Sequence, residues 1–291
     1  MKTVLALSFL VWFLILVGCQ QPGEQIVFSS SRNGNSDIFL MDARSLEVVA
    51  LTDSTVEEWG PSWINEDELC FLRQDLGRVK RYKVNIKSGV ETQVNQPTNC
   101  MLNDKNALFL KNGWQIYPCE GHLYLANELG HTQERLTEGL SGRSNYISLS
   151  YDQSTLIFTN NSTGNNDIYK LNLASGALVN LTNHPANDEH GDLSADGTKL
   201  LYSSDRFESG NQDIVLMDLE TGYVTNISNT AQQELIARWA NEPNTIYYGS
   251  SKDDDWELYR YDLKDGVHRR LTESPGFDGD PRVYNYGTRH Q

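Results

Sequence analysis

From Gln25 onward the chain alternates short apolar runs with clusters of Gly, Asn, Asp, Ser and Pro. No stretch of it carries the apolar spacing of an amphipathic helix, so strands joined by turns are expected throughout. One phrase recurs six times. It opens on a short apolar strand, as in Asp37-Ile38-Phe39-Leu40-Met41-Asp42 and Asp213-Ile214-Val215-Leu216-Met217-Asp218, and it starts at Asp37, Lys80, His122, Asp167, Asp213 and Glu257. Successive starts lie 43, 42, 45, 46 and 44 residues apart. A closing pair follows each start by 14 residues: Leu51-Thr52, Val94-Asn95, Leu136-Thr137, Leu181-Thr182, Ile227-Ser228 and Leu271-Thr272. A period of this size with several strands per unit predicts a β-propeller rather than a solenoid.

Each unit reads as four strands counted outward from a hub. The second and third are apolar on both faces, as a blade sandwiched between neighbours requires, and the fourth mixes in polar residues, as an outer edge facing water requires. Between the third and fourth strands sits Asn or Asp with Gly four residues later, as in Asn85 and Gly89 or Asp218 and Gly222, which suits a tight turn. Gln25-Ile26-Val27-Phe28 reads as a second strand and Asp280-Pro281-Arg282-Val283-Tyr284 as a first one, so the two ends should complete one blade between them. The expected fold is therefore all-β: a six-bladed β-propeller of four-stranded antiparallel blades, closed by pairing the N- and C-terminal strands in one blade.

Met1-Lys2, an uncharged apolar run from Val4 to Val17 and then Gly18-Cys19 have the form of a secretory signal peptide, too short for a comfortable membrane span. The ending Leu16-Val17-Gly18-Cys19 resembles the bacterial lipobox. That resemblance implies cleavage before Cys19, acylation of Cys19 as a lipid anchor and, with Gln20 next, passage to the outer membrane with the domain facing the periplasm. Residues 1–18 are then a lipoprotein signal peptide, 19–24 a short linker and 25–291 the propeller. Without Lys2 the chain has 23 basic against 39 acidic residues, a net charge of −16. Such a surface repels phosphate backbones, so nucleic acid is not expected as a partner. Cys70, within Leu69-Cys70-Phe71, reads as buried; Cys100 and Cys119 belong to one repeat, and their pairing is left open.

Several phrases resemble the WD-like repeats of the TolB β-propeller: Phe28-Ser29-Ser30-Ser31-Arg32 leading to Ser36-Asp37-Ile38-Phe39, Tyr202-Ser203-Ser204-Asp205-Arg206 leading to Gln212-Asp213-Ile214, and Leu193-Ser194-Ala195-Asp196-Gly197-Thr198-Lys199-Leu200. The similarity runs through the repeats, strong in blades one, four, five and six and poor in two and three. It implies a six-bladed propeller working by protein binding in the cell envelope. The α/β domain that precedes the propeller in TolB has no matching stretch here.

Loops that lead from each fourth strand to the next first strand should crowd the mouth of the central channel. Aligned by position they place Glu58, Gln96, Ser144, Asp188, Glu234 and Asp278 together, with Trp59, Asn145, Glu189, His190 and Phe277 beside them. A ring of carboxylates focuses negative potential, so Glu58, Trp59, Asp188, Glu189, His190, Glu234 and Asp278 are the candidate contacts for a protein or peptide partner. The competing reading is that each acid bonds to its own loop and fixes the turn. His184 to Asp192 holds two histidines and three acids, yet meets neither the zinc spacings nor the calcium-loop pattern, and no metal is assigned. A metal-assisted glycan lyase or hydrolase using His184, His190 and Asp188 is the alternative, and a small-ligand sensor built on the channel is another. Asp253-Asp254-Asp255 reads as a solvated turn. Gly139-Leu140-Ser141-Gly142 falls one residue short of a nucleophile elbow, and no phosphate or dinucleotide motif occurs, so binding without chemistry or cofactor is expected.

Overall fold

The third strands of the blades are Asp37–Asp42, Arg78–Asn85, His122–Ala126, Asp167–Asn172, Asn211–Asp218 and Glu257–Asp262, so the recurring phrase marks one strand per blade. The computed structural model describes residues 23–95 and 107–284. The leader, Cys19, Gln96 and Cys100 lie outside the described residues. Within them the chain forms six antiparallel sheets of four strands, each sheet one blade.

Both faces of a blade are buried, and this is why its middle strands are continuous apolar runs. Along the strand Gln25–Ser30, Ile26 and Phe28 pack with Tyr247 and Leu258 of blade six, while Val27 points the other way against Trp63, Leu69 and Phe71 of blade two. The core is thus a set of interfaces between blades. Each fully buried side chain of this kind contributes roughly 1.5–3 kcal/mol, so every blade is stabilised by its two neighbours.

The ring closes as expected. Asp278–Val283 pairs with Gln25–Ser30, with Ile26 opposite Val283, Val27 opposite Arg282 and Ser30 opposite Asp278. The first blade therefore has the last strand of the chain at its hub. That blade thereby has four strands like the other five.

The constant 14-residue offset has a direct cause. The second residue of each recurring phrase lies between blades, where its backbone needs partners. Its carbonyl accepts the amide of the closing apolar residue: Leu51 to Ile38, Val94 to Arg81, Leu136 to Leu123, Leu181 to Ile168, Ile227 to Ile214 and Leu271 to Leu258. Its own N–H donates to the hydroxyl that follows, at 2.9–3.1 Å, in five blades: Ile38 to Thr52, Leu123 to Thr137, Ile168 to Thr182, Ile214 to Ser228 and Leu258 to Thr272. At the far end of the third strand, an Asn or Asp accepts the amides two and three residues on, as Asn85 does from Lys87 and Ser88, and Gly89 completes the turn at φ 66°.

Blades two and three depart from the pattern for visible reasons. Blade two closes on Asn95 without a hydroxyl, and Arg81 stands where the other blades have Ile or Leu. Arg81 is fully buried with its guanidinium 5.8 Å from the Tyr117 ring centroid, and burial pulls its pKa down to about 10. The innermost strand of blade three is only Leu108–Phe109. Cys70 is a buried thiol, and Cys119 is disulfide-bonded.

Thr137→Val tests the closing node, because it keeps the shape of the side chain but leaves the Leu123 amide unpaired. The expected loss is about 1–3 kcal/mol in denaturant unfolding with an unchanged slope. A loss below a few tenths of a kcal/mol would show that the hydroxyl is not needed there.

Candidate functional site

Each described first strand apart from that of blade three begins at one end of the ring, and its first residue is Glu58, Ser144, Asp188, Glu234 or Asp278. The aligned positions do come together at the mouth end, but they do not face solvent. All five are fully buried. Each is tied to the residue opposite it on the second strand, or close to it: Arg73 donates to Glu58, Asn160 to Ser144 at 2.9 Å, Ser204 to Asp188 at 2.5 Å, Ser250 to Glu234 at 2.9 Å, and Arg32 to Asp278 at 2.8 Å. The expectation that Glu58, Asp188, Glu234 and Asp278 meet a partner is corrected accordingly: these side chains sit between blades, below the rim, and present no surface.

Their second neighbours were not visible in the aligned loops. Asp37, Asp167, Asp213 and Glu257 open the recurring phrase in their blades and are also buried, each 21 residues before one of the four acids. Every pair therefore spans a blade interface, with the closing hydroxyl beside it. Ser228 donates to Asp213 at 3.0 Å and Thr272 to Glu257 at 2.5 Å. The carboxyls of Asp37 and Glu58 meet each other, and one oxygen of each lacks any other donor. A proton held between them satisfies both.

A second feature of the inner strands escaped the sequence reading. The third residue of each described long first strand has left-handed φ: Gly60 at 61°, Tyr146 at 49°, His190 at 59°, Ile236 at 58° and Asp280 at 55°. The pairing register slips at these points, so each strand carries a bulge. Bulge amides reach the preceding blade: Gly60 donates to Ser29 at 3.1 Å and Ile236 to Ser203 at 3.2 Å. Gly60, Tyr146, His190 and Asp280, from four blades, line one small cavity of about 80 Å³ with Arg282, which places the bulges around the axis.

His190 is accordingly a channel-neck residue, buried, with its ring centroid 3.9 Å from that of Tyr146. Trp59 and Glu189 are half-buried at the rim, and the Glu189 carboxylate accepts from Asn166 at 2.5 Å. The His184 to Asp192 stretch does not converge. His184 accepts the Ala186 amide, Asp188 lies in the blade interface, and Asp192 accepts the Trp239 amide deeper in the ring. Among the described residues no three His, Cys, Asp or Glu side chains assemble as a ligand set. Asp253 and Asp255 fix their own corner, Asp253 through the Tyr259 hydroxyl and Asp255 through the amides of Trp256 and Gly276.

No protein-family model matches the sequence. Among curated proteins, the chain is 28% identical over 128 residues to a TolB homolog of Chlorobium chlorochromatii, covering 44% of this chain and 28% of that one. It is 29% identical over 126 residues to dipeptidyl-peptidase 5 of Porphyromonas gingivalis, covering 42% of this chain and 18% of that one. The matches thus span less than a third of either relative. Among solved structures, TolB from Acinetobacter baumannii superimposes with a TM-score of 0.77 at 16% identity, over 89% of this chain and 66% of that one. The chain folds as a propeller similar to that of TolB.

In this TolB-like propeller the buried acids are shifted by their surroundings. Burial is the largest cause for Glu58, Asp37, Glu234 and Asp188, and all four are raised; Asp188 reaches about 6, with the Asp167 carboxyl adding to the rise and hydrogen bonds from Ser204 and Thr182 opposing it. A raised carboxyl stabilises the fold most below its unfolded value, 3.8 for aspartate, and that contribution disappears as pH rises through about 6. Carboxyls such as Asp196, lowered to about 2 by hydrogen bonds from Ser194 and Thr198, act in the opposite sense at lower pH. The Asp188 contribution to stability should therefore decline between pH 4 and 7. Asp188→Asn should flatten that part of the profile in unfolding midpoints measured across this range; an unchanged profile would exclude the buried acid as its source.

Proposed function

We propose that this chain is a non-catalytic, lipid-anchored binding module of the bacterial envelope that presents its mouth to a protein or peptide in the periplasm. The observation that carries the proposal is the position of its amino-terminal end. Glu24 is tied into the face opposite the mouth: its carboxylate accepts the Asn241 amide at 2.5 Å and the Tyr247 hydroxyl at 2.9 Å, and its carbonyl accepts the Ala43 amide at 2.8 Å. Gly23 donates to Asp42 on the same face. Four peptide steps separate Cys19 from Gly23, a reach of about 14 Å at most.

An acylated Cys19 would hold that face against the membrane and leave the mouth outermost. The likeness to TolB supports an envelope setting, and the acidic net charge supports a partner other than nucleic acid or anionic lipid. With Glu58, Asp188, Glu234 and Asp278 buried, contact falls to the rim: Trp59, Glu189 and the exposed loop residues around them. Two or more acyl chains anchor firmly where one does not, so firm membrane retention follows from the lipobox reading, and Gln20 after the cysteine supports the outer membrane as the destination.

Two measurements test this. Cys19→Ser should move the protein from the membrane to the soluble fraction, and continued membrane association would contradict the anchor. A photo-crosslinking residue at Glu57 or Glu273, both exposed at the rim, should give discrete protein adducts in cells, whereas one at Glu220 on the opposite face should not. Equal adducts from both faces would remove the mouth as the contact surface.

A further inference from the structure

Blades two and five stand three steps apart in either direction around the ring, so they face each other across the mouth. In both, the hairpin between second and third strands grows past the point where the other blades turn. The pairs Ser30 with Asp37, Asn160 with Asp167 and Ser250 with Glu257 end their ladders in blades one, four and six, and Cys119 with His122 does so in blade three. The ladder of blade two runs on from Arg73 and Lys80 to Asp75 and Arg78, and that of blade five resumes at Glu208 and Asn211 beyond Ser204 and Asp213.

Both extensions carry an apolar side chain into solvent. Leu76 is 95% exposed and Phe207 is 50% exposed. Leu76 also occupies a left-handed position, φ 47°, which a leucine adopts at a cost in stability and which nothing it buries repays. The loops of blades one and four are held down: Asn35 donates to the Val56 carbonyl at 3.0 Å, and Asn165 to the carbonyls of His184 and Ala186 at 2.8 and 2.7 Å. The blade-five hairpin is fixed likewise at its base, where Asn211 donates to the Thr230 carbonyl at 2.8 Å and Gln233 to the Gly210 carbonyl at 2.9 Å, and Phe207 stands beyond these bonds.

Between the two tips the described rim is acidic. Asp53, Glu57, Glu138 and Glu273 are exposed and Glu189 half-buried, against Arg143 alone as a cation in the same connecting loops. Phe207 already holds the Arg206 guanidinium 5.7 Å from its ring centroid, so its face accepts a cation. We propose that the hairpin tips of blades two and five are a pair of jaws that hold a cationic polypeptide segment across the mouth, with Leu76 and Phe207 gripping an apolar residue near each end of it. This rests on the mouth being the contact surface, and it names what that surface selects.

The test uses the full chain in detergent and three synthetic peptides of about sixteen residues, an extended reach of about 50 Å. One has lysines and serines between leucine-bearing ends, one replaces those leucines by serine, and one replaces the lysines by glutamate. The first peptide should bind in fluorescence anisotropy at low salt; the serine-ended one should bind at least fivefold more weakly, and the acidic one not at all. Leu76→Ser and Phe207→Ser should each weaken the first peptide about fivefold or more with an unchanged melting temperature, and added salt should weaken wild type and variants alike. Binding by both variants equal to that of the wild type, equal binding of the acidic peptide, or no binding of the first peptide overturns the proposal. If the tips prove neutral while rim crosslinks at Glu57 and Glu273 persist, the mouth remains the contact surface and only the jaws are lost; if the crosslinks are absent too, the mouth itself is excluded.

Discussion

The structure depends on how a backbone amide and carbonyl are satisfied where one blade meets the next. The second residue of every recurring phrase lies in that interface, and its carbonyl is always answered by the closing apolar residue 13 positions on. Five blades add a hydroxyl for the amide as well. One local arrangement therefore sets where the fourth strand ends, where the connecting loop departs and where the next first strand begins. An interface polar group left unpaired would cost more than a typical hydrogen bond contributes, which is why the offset is invariant while loop lengths vary.

The same arrangement explains the carboxyl pairs. Once the closing hydroxyl is fixed, an acid opening the recurring phrase and an acid opening the next first strand lie on either side of it. Arginines accompany some of these acids: Arg73 bonds Glu58, Arg270 bonds Glu257 at 2.7 Å and Arg32 bonds Asp278. Asp188 relies instead on the hydroxyls of Ser204 and Thr182. The acids near the mouth thus belong to the ring's internal joints, and the rim that a partner can touch is a different and thinner set of residues.

Much of the fold was legible in the sequence because a period of this size with a constant internal offset admits few architectures. The terminal clasp followed from counting strands. What failed was depth. Aligning loops located Glu58, Asp188, Glu234 and Asp278 at one end of the ring, but the same residue types at a strand start serve equally well on a rim or in a joint, and only the 21-residue companions Asp37, Asp167, Asp213 and Glu257 distinguish the two. The bulges at Tyr146, His190, Ile236 and Asp280 had no signal beyond the glycine at position 60. That is also why His184 to Asp192 looked like a cluster: strict alternation would put Asp188, His190 and Asp192 on one face, and the left-handed His190 breaks it. Leu76 and Phe207 carry no signal in the sequence, because single apolar residues at a surface are ordinary; their meaning comes from the opposition of blades two and five.

Native-state hydrogen exchange of the amides of Ile38, Leu123, Ile168, Ile214 and Leu258 tests the closed, jointed ring most directly. All five should exchange slowly and together, with the free energy of global unfolding, and the amides joining Gln25–Ser30 to Asp278–Val283 should be as protected as those of blade four. Early exchange across that pairing, or five separate exchange rates, would contradict a ring closed by equivalent joints.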